Sequence, residues 1–278
     1  MTTSTATDPS SPHQPRRNTV LLHALRSEWT KLWTVRSTYW TLLLAAVIMI
    51  GYAALLAGTI SSTVEDMSRT ERANLPSALF FSLVGTQLAQ LVLAVLGVLV
   101  ISSEYRTGMI RSSLVAVPQR LRFLLAKIVP YTLVVVIASE VMAFASFFVG
   151  QAFFARKDMD VALSDPGVLR AVIGAGLFLT ACGVFGIAIG ALVRNVAGSI
   201  AIAVGAMLVL PAVLTFLPGD WGDYVNDYFL TNAGEQIMRL EDSVASSTVG
   251  PWVGYGIFWV WIAAVLVVAG VLLHRRDA

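Results

Sequence analysis

Six long apolar runs dominate this 278-residue sequence, and each is about as long as a membrane's hydrocarbon core is thick. Crossing roughly 30 Å takes about 20 helical residues. The runs lie near Tyr39–Gly58, Ala78–Ile101, Ile128–Phe154, Leu169–Val193, Ala197–Leu217 and Trp252–Leu273. Backbone amides inside lipid must bond within the protein, which leaves only helices and closed barrels as spanning structures. A barrel needs alternating segments of about 10 residues, whereas these runs are continuously apolar. Composition agrees: 56% of residues are hydrophobic and 13% charged, against about a quarter charged in soluble domains. The sequence therefore predicts an all-α membrane protein with six transmembrane helices.

The distribution of charge sets an expected orientation. The N-terminal flank, the segment between spans two and three, Arg194 and the C-terminal tail hold 13 Lys/Arg and 4 Asp/Glu. The opposite side holds 6 Lys/Arg and 12 Asp/Glu. Basic short loops face the cytoplasm, so both termini are expected there, in a multi-pass protein of the cell membrane. Residues 1–19 lack the apolar core of a signal peptide and read as a disordered, Ser/Thr/Pro-rich cytoplasmic tail; residues 20–278 form the transmembrane domain. Cys182 stands alone, so no intrachain disulfide can form.

Segment 20–37 is expected to be an amphipathic helix along the headgroups. Leu21, Leu22, Leu25, Trp29, Leu32 and Trp33 recur at three- and four-residue spacing, with His23, Arg26, Glu28 and Lys31 largely on other faces. A plain basic flank that orients span one is the competing reading. Pro76 stands at the expected first turn of span two with Asn74 as cap, and Asp165-Pro166 is read as launching span four. Gly174, Gly176, Gly183, Gly186 and Gly190 give span four the small residues that let helix backbones approach. Arg194 and Asn195 make spans four and five a tight hairpin, and Pro211 is placed to kink span five. The expected extracellular segment 218–251 is acidic and holds Trp221, Tyr224, Tyr228 and Phe229, so part of it is expected to dip into the outer interface.

The densest basic cluster lies in segment 102–127. Gly108 is a stop signal for a helix continuing past the membrane surface. Met109, Ile110, Ser113 and Leu114 fall on one face of a helical wheel, with Arg111 off it, and Pro118 ends the element. A new helix from Gln119 then carries Arg120, Arg122 and Lys127 at headgroup level. The expectation is a short transverse helix between two bends. The competing reading is that these charges only set topology.

Catalytic chemistry finds no footing. No G-x-x-x-x-G-K-[ST] phosphate loop occurs, His13, His23 and His274 sit on the flanks without metal-ligand spacing, and Cys182 has no histidine in its layer. No catalytic, cofactor or metal residue is assigned, and no nucleic-acid partner is expected. Three polar residues inside spans stand out. Glu140 is the only acid within a span; its burial in lipid costs roughly 2.5–3.5 kcal/mol, so it should face protein or water. A functional role and a simple interhelical hydrogen bond both remain open. Gln87 and Gln90 of span two either bond across helices or line a path. One function class consistent with these groups is a six-helix secondary transporter or channel using Glu140.

A second class follows from a resemblance. Leu25-Arg26-Ser27-Glu28-Trp29-Thr30-Lys31 precedes span one; Glu104-Tyr105-Arg106-Thr107-Gly108, Pro118, Arg120 and Lys127 follow span two; Arg275-Arg276-Asp277 follows span six. From about Leu21 onward the chain resembles the membrane subunits of ATP-binding-cassette (ABC) exporters of the type-2 permease family, particularly the six-helix permeases common in high-GC Gram-positive bacteria. The resemblance implies a permease subunit that is not catalytic alone. It pairs with a second permease subunit, in a homodimer or heterodimer, and is driven by separate ABC ATPase subunits that bind the ATP. The transverse helix becomes the coupling helix: Glu104, Arg106 and Arg111 make polar contacts at its seat, beside Thr107. Met109, Ile110 and Leu114 supply its apolar face, and Gly108 and Pro118 shape the bends. The implied cargo is a drug, an antimicrobial peptide or a lipid-like molecule, and the apolar spans favour an amphipathic one; related permeases also extrude sodium.

Overall fold

The computed structural model describes residues 17–107, 120–240 and 249–275, with side chains for 25–105, 124–240 and 249–272. Among the described residues there is no strand. Helix α1 (Arg17–Thr34) starts three residues before the expected boundary at Val20, and extended backbone at Val35 turns the chain into α2 (Arg36–Thr63), which is span one. After α3 (Arg69–Ala73), span two is formed by α4 (Ala78–Leu83) and α5 (Thr86–Thr107), and span three by α6 (Arg120–Phe154). Span four is α7 (Val168–Val193). Span five comprises α8 (Val196–Val204), a π-helical turn (Gly205–Val209) and α9 (Leu210–Leu214). Two short helices, α10 (Asp220–Tyr228) and α11 (Leu230–Glu235), lead to α12 (Pro251–Arg275), span six. Six stretches are thus long and apolar enough to cross a bilayer, one for each run in the sequence.

Span four is the centre of the bundle. Its apolar window is 89% buried, against 22% for span one and 17% for each of spans five and six. Helix α7 meets α5 backbone to backbone. A Cβ on Gly97 would lie 2.0 Å from the Gly183 carbonyl oxygen, and one on Gly186 would lie 2.0 Å from that of Ala94. With no water to exclude between helices in lipid, such close van der Waals approach is what holds spans together. Gly190, one turn beyond Gly186, continues that packing face and meets Ile101 and Ser102.

Span two differs from the sequence reading: it is broken. Val84 and Gly85 form a turn between α4 and α5, and α2 crosses there so closely that a Cβ on Gly85 would lie 2.3 Å from the Met49 carbonyl oxygen. Carbonyls freed by a break at membrane depth need new donors. Ser146 Oγ donates to Ser82 O at 2.6 Å and Thr86 Oγ1 donates to Leu83 O at 2.8 Å. Hydroxyl groups thus replace the missing ladder.

The helix starts also differ in detail. Ser77, not Asn74, caps α4 by accepting from the Phe80 amide, with Pro76 one residue earlier; Asn74 instead ends α3. Helix α7 starts after Gly167 at φ 81°, because the Asp165 carboxylate bonds backwards to the Ala162 amide at 2.8 Å and leaves no side chain for the cap. The hairpin between spans four and five is as tight as expected: Arg194 takes the left-handed conformation at φ 60°, and Asn195 caps α8 by accepting from the Gly198 amide at 2.9 Å. In span five the π-helical turn precedes Pro211, which lacks the amide an α-helix requires.

The glycine contacts separate two kinds of site. Gly97→Val forces a side chain into the α7 backbone and is expected to cost at least about 1–3 kcal/mol, as overpacking does. Gly51→Ala adds a Cβ that meets nothing within 4 Å, so it should stabilise helix α2 by about 0.5–1 kcal/mol. Thermal unfolding of both variants in one detergent checks the pair; a Tm for Gly97→Val equal to that of the parent would contradict the packing argument.

Candidate functional site

The densest charged constellation lies at the bundle end where α1, the end of α5 and the start of α6 meet. Lys127 Nζ donates to Glu104 Oε1 at 2.6 Å and to Glu28 Oε2 at 3.0 Å. Lys31 Nζ completes a ring, reaching Glu28 Oε1 at 2.7 Å and Glu104 Oε1 at 3.0 Å. Two ammonium groups therefore alternate with two carboxylates across three helices. Lys127 is 2% exposed and Glu104 6%, while the Lys31 side chain is 41% exposed, so the ring is buried on the side of α5 and α6 and opens to the surface at α1. Burial alone would lower the Lys31 ammonium, but its hydrogen bonds to Glu28 and Glu104 outweigh that and hold it above its ordinary value.

Helix α1 is turned accordingly. Leu32 is buried, and Leu25, Glu28 and Lys31 are half-buried against the bundle, while Trp29 and Trp33 face out. The sequence pattern put Glu28 and Lys31 on faces away from the apolar stripe. The structure brings them inward because Lys127 and Glu104 offer counter-charges there. The same end is tied across the bundle by Arg194, whose guanidinium lies 5.6 Å from the Tyr105 ring centroid and donates to the Leu272 carbonyl at 3.2 Å. Ends of spans two, four and six are thereby linked through one residue of the tight hairpin.

Of the residues expected to form a docking element, Glu104 belongs to this inward network. Arg106 and Thr107 complete α5. Gly108, Met109, Ile110, Arg111, Leu114 and Pro118 lie outside the described residues, as do residues 1–16 of the expected tail and 241–248 of the expected extracellular segment.

At the opposite end a second polar chain runs inward. Gln87 Nε2 donates to Glu235 Oε1 at 2.8 Å, Gln90 Nε2 donates to Gln87 Oε1 at 3.0 Å, and the Cys182 thiol reaches Gln90 Oε1 at 3.8 Å. The two glutamines thus bond across helices and to one another. Arg170 ties down the loop beyond Glu235, donating to the carbonyls of Ile237 and Arg239, each at 3.0 Å. Burial pushes the Glu235 carboxyl above the ordinary glutamate range, against the lowering effects of the Gln87 hydrogen bond and of Arg239. A cavity of about 550 Å³ adjoins it, lined by Gln87, Glu235 and Arg239 among apolar side chains.

Glu140 stands apart from both. It is half-buried on α6 against Gly176 of α7, where an added Cβ would lie 2.5 Å from its carboxyl carbon, and its Oε2 is buried without a hydrogen-bond partner. It bonds to neither Gln87 nor Gln90.

No protein-family model and no curated protein matches this chain. The meaning of these sites rests on their own geometry. Among the described residues no three His, Cys, Asp or Glu side chains are placed to hold a metal ion. Glu235 was hidden in the sequence among six acids of the segment 218–251, and only its packing against Gln87 distinguishes it. Glu28 and Lys31 carried a readable signal, two opposite charges one helical turn apart, but nothing named their partners 73 and 99 residues away.

Two outcomes follow. Lys127→Met leaves Glu104 and Glu28 buried with less compensation, and removing one partner of a buried pair costs about 3–5 kcal/mol. Adding Glu104→Gln should recover part of that loss, a coupling of about 0.5–3 kcal/mol in a double-mutant cycle by denaturant unfolding; strict additivity would contradict the network. For Glu235 the folded value lies above the unfolded one of about 4.3, so its contribution is fully present below that pH and is lost as pH rises through the folded value. The Tm of the parent relative to that of Glu235→Gln should therefore fall as pH is raised from about 4 to about 8.

Proposed function

We propose that this chain is the membrane-spanning permease subunit of an ATP-driven ABC transporter, powered by a separate ATPase subunit that docks on segment 102–127. The observation that carries the reading is the four-charge ring at the base of that segment. Glu104 and Lys127 stand 23 residues apart and meet at 2.6 Å, so the chain leaving span two and the chain entering span three are gripped together. Roots fixed to each other move together, so a displacement that reaches them passes to α5, α6 and α1 at once. A loop that merely sets topology has no use for such a grip. Glu104 in this reading holds the root of the docking element, Arg106 and Thr107 meet the partner just before the bend at Gly108, and Met109, Ile110, Arg111 and Leu114 meet it between that bend and the one at Pro118.

The surrounding features fit. The basic end faces the cytoplasm of a cell with both termini there, and α1 lies along the inner headgroups with Trp29 and Trp33 at the interface. Spans one, five and six keep most of their apolar surface outward, enough for lipid and for a second permease subunit, identical or not. Helix α10 presents Trp221, Tyr224 and Tyr228 outward, each about half exposed, and lies in the outer interface. The cargo is an amphipathic or hydrophobic molecule that is exported.

The second reading, a secondary transporter or channel, is favoured by Glu140, whose Oε2 is buried without a partner. The two part cleanly in one experiment. Purified from its own membranes in mild detergent, the chain should carry a nucleotide-binding subunit with ATPase activity, and deletion of residues Met109 to Leu114 should remove that subunit while leaving the permease monodisperse. Gly108→Val, which keeps every charge, should weaken the association. A chain that purifies without any ATPase and moves solute in an ion gradient, with loss on Glu140→Gln, would establish the second reading instead.

A further inference from the structure

We infer that the cavity beside Glu235 is a binding site for an organic cation: a protonated amine carried on an apolar body. Its volume of about 550 Å³ lies within the range of small-molecule sites, roughly 300–1,000 Å³ lined by apolar groups with a few placed polar ones. The break in span two shapes it. Leu79, Leu83 and Val84, around the turn at Gly85, form one wall, and Met238 and Leu240 form the other.

The polar groups choose the sign of the ligand. Cys182, Gln90 and Gln87 donate in series toward Glu235, ending on Oε1 at 2.8 Å, while Gln90 Nε2 also donates to the Gln87 carbonyl at 3.2 Å. Donors aligned in series reinforce one another in a low-dielectric interior, and this series favours the ionised carboxyl against the burial that raises it. Glu235 is 12% exposed, yet its nearest cation among the described residues, Arg239, stands at 3.8 Å, outside hydrogen-bond range, and is itself 46% exposed. The cavity lining thus holds a carboxyl that accepts one amide hydrogen bond, from Gln87, and whose ion pair with Arg239 is long, at 3.8 Å. An anionic ligand would have to approach that carboxylate with only a half-exposed guanidinium in its favour. An ammonium reaching Glu235, with its apolar part against Leu79, Leu83 and Leu240, satisfies both surfaces.

The site belongs to the single chain and involves neither ATP nor a partner, so it is measured apart from the transport reading. The test uses the full chain in phosphatidylcholine nanodiscs, titrated with a dansyl fluorophore on a five-carbon primary amine and, separately, with its N-acetylated, uncharged counterpart. The expected result is saturable fluorescence enhancement by the amine, bound about tenfold more tightly or better than the acetylated form, since a hydrogen bond to a charged group is worth about 1.5–3 kcal/mol. Glu235→Gln should abolish that preference. Leu240→Trp, which fills the cavity and leaves the carboxylate intact, should abolish binding of the amine. Equal affinity for the amine and its acetylated form, or unchanged preference in Glu235→Gln, overturns the inference. Should Glu235→Gln aggregate on size exclusion, Leu240→Trp decides alone, and unchanged amine binding in it overturns the inference equally.

Discussion

The bundle depends on one contact more than any other: the backbone-to-backbone meeting of α5 and α7 at Gly97 with Gly183 and at Ala94 with Gly186. Lipid tails are as apolar as the helices, so burying a leucine between spans wins little over leaving it in the bilayer. Dispersion between closely fitted surfaces has to do that work, and it decays steeply with distance. Because α7 brings glycine to several of its faces, spans two and three and the loop at Ile237 can all close on it. Span four is consequently the buried axis, and the more exposed spans are arranged around it.

Onto this apolar frame the chain places two polar assemblies at opposite ends, of different character. The ring of Glu28, Lys31, Glu104 and Lys127 is balanced, two positive and two negative charges, and joins elements far apart in sequence. Such a ring need not add net stability, since desolvating its members costs about as much as their attraction returns. What it specifies is relative position, because a shift of α1 against α6 would strand a buried charge. The chain of Cys182, Gln90, Gln87 and Glu235 is directional instead, and it ends at a carboxylate beside a cavity.

The sequence revealed the architecture more readily than the sites. Run length and continuity locate all six spans, because the bilayer imposes one length scale on every helix that crosses it. The glycines of α7 announced close packing for the same reason of scale. The break at Gly85 was invisible, since a glycine within a span as apolar overall as this one carries no stop signal of its own and only the crossing of α2 at Met49 selects it. The basic segment after span two drew notice to Glu104 and Lys127, but their pairing with Glu28 and Lys31 is tertiary and leaves no mark in local pattern. Glu235 shows the limit most clearly: six acids in one loop look alike until one of them is buried.

The π-helical turn at Gly205–Val209 has a mechanical consequence. Span five is held by spans two and four along α8, where Ser199 and Ala203 are buried, and Met207 in the turn is the last residue to face inward. Beyond it α9 buries no side chain at all. The span is therefore clamped along its first half only, and its second half hangs between two fixed points. The far one lies beyond Asp220–Tyr228, where Trp261 Nε1 donates to the Tyr228 carbonyl and Asn232 Nδ2 to that of Asn226, so the chain after the π-helical turn is strung like a bridge between span four's side of the bundle and span six.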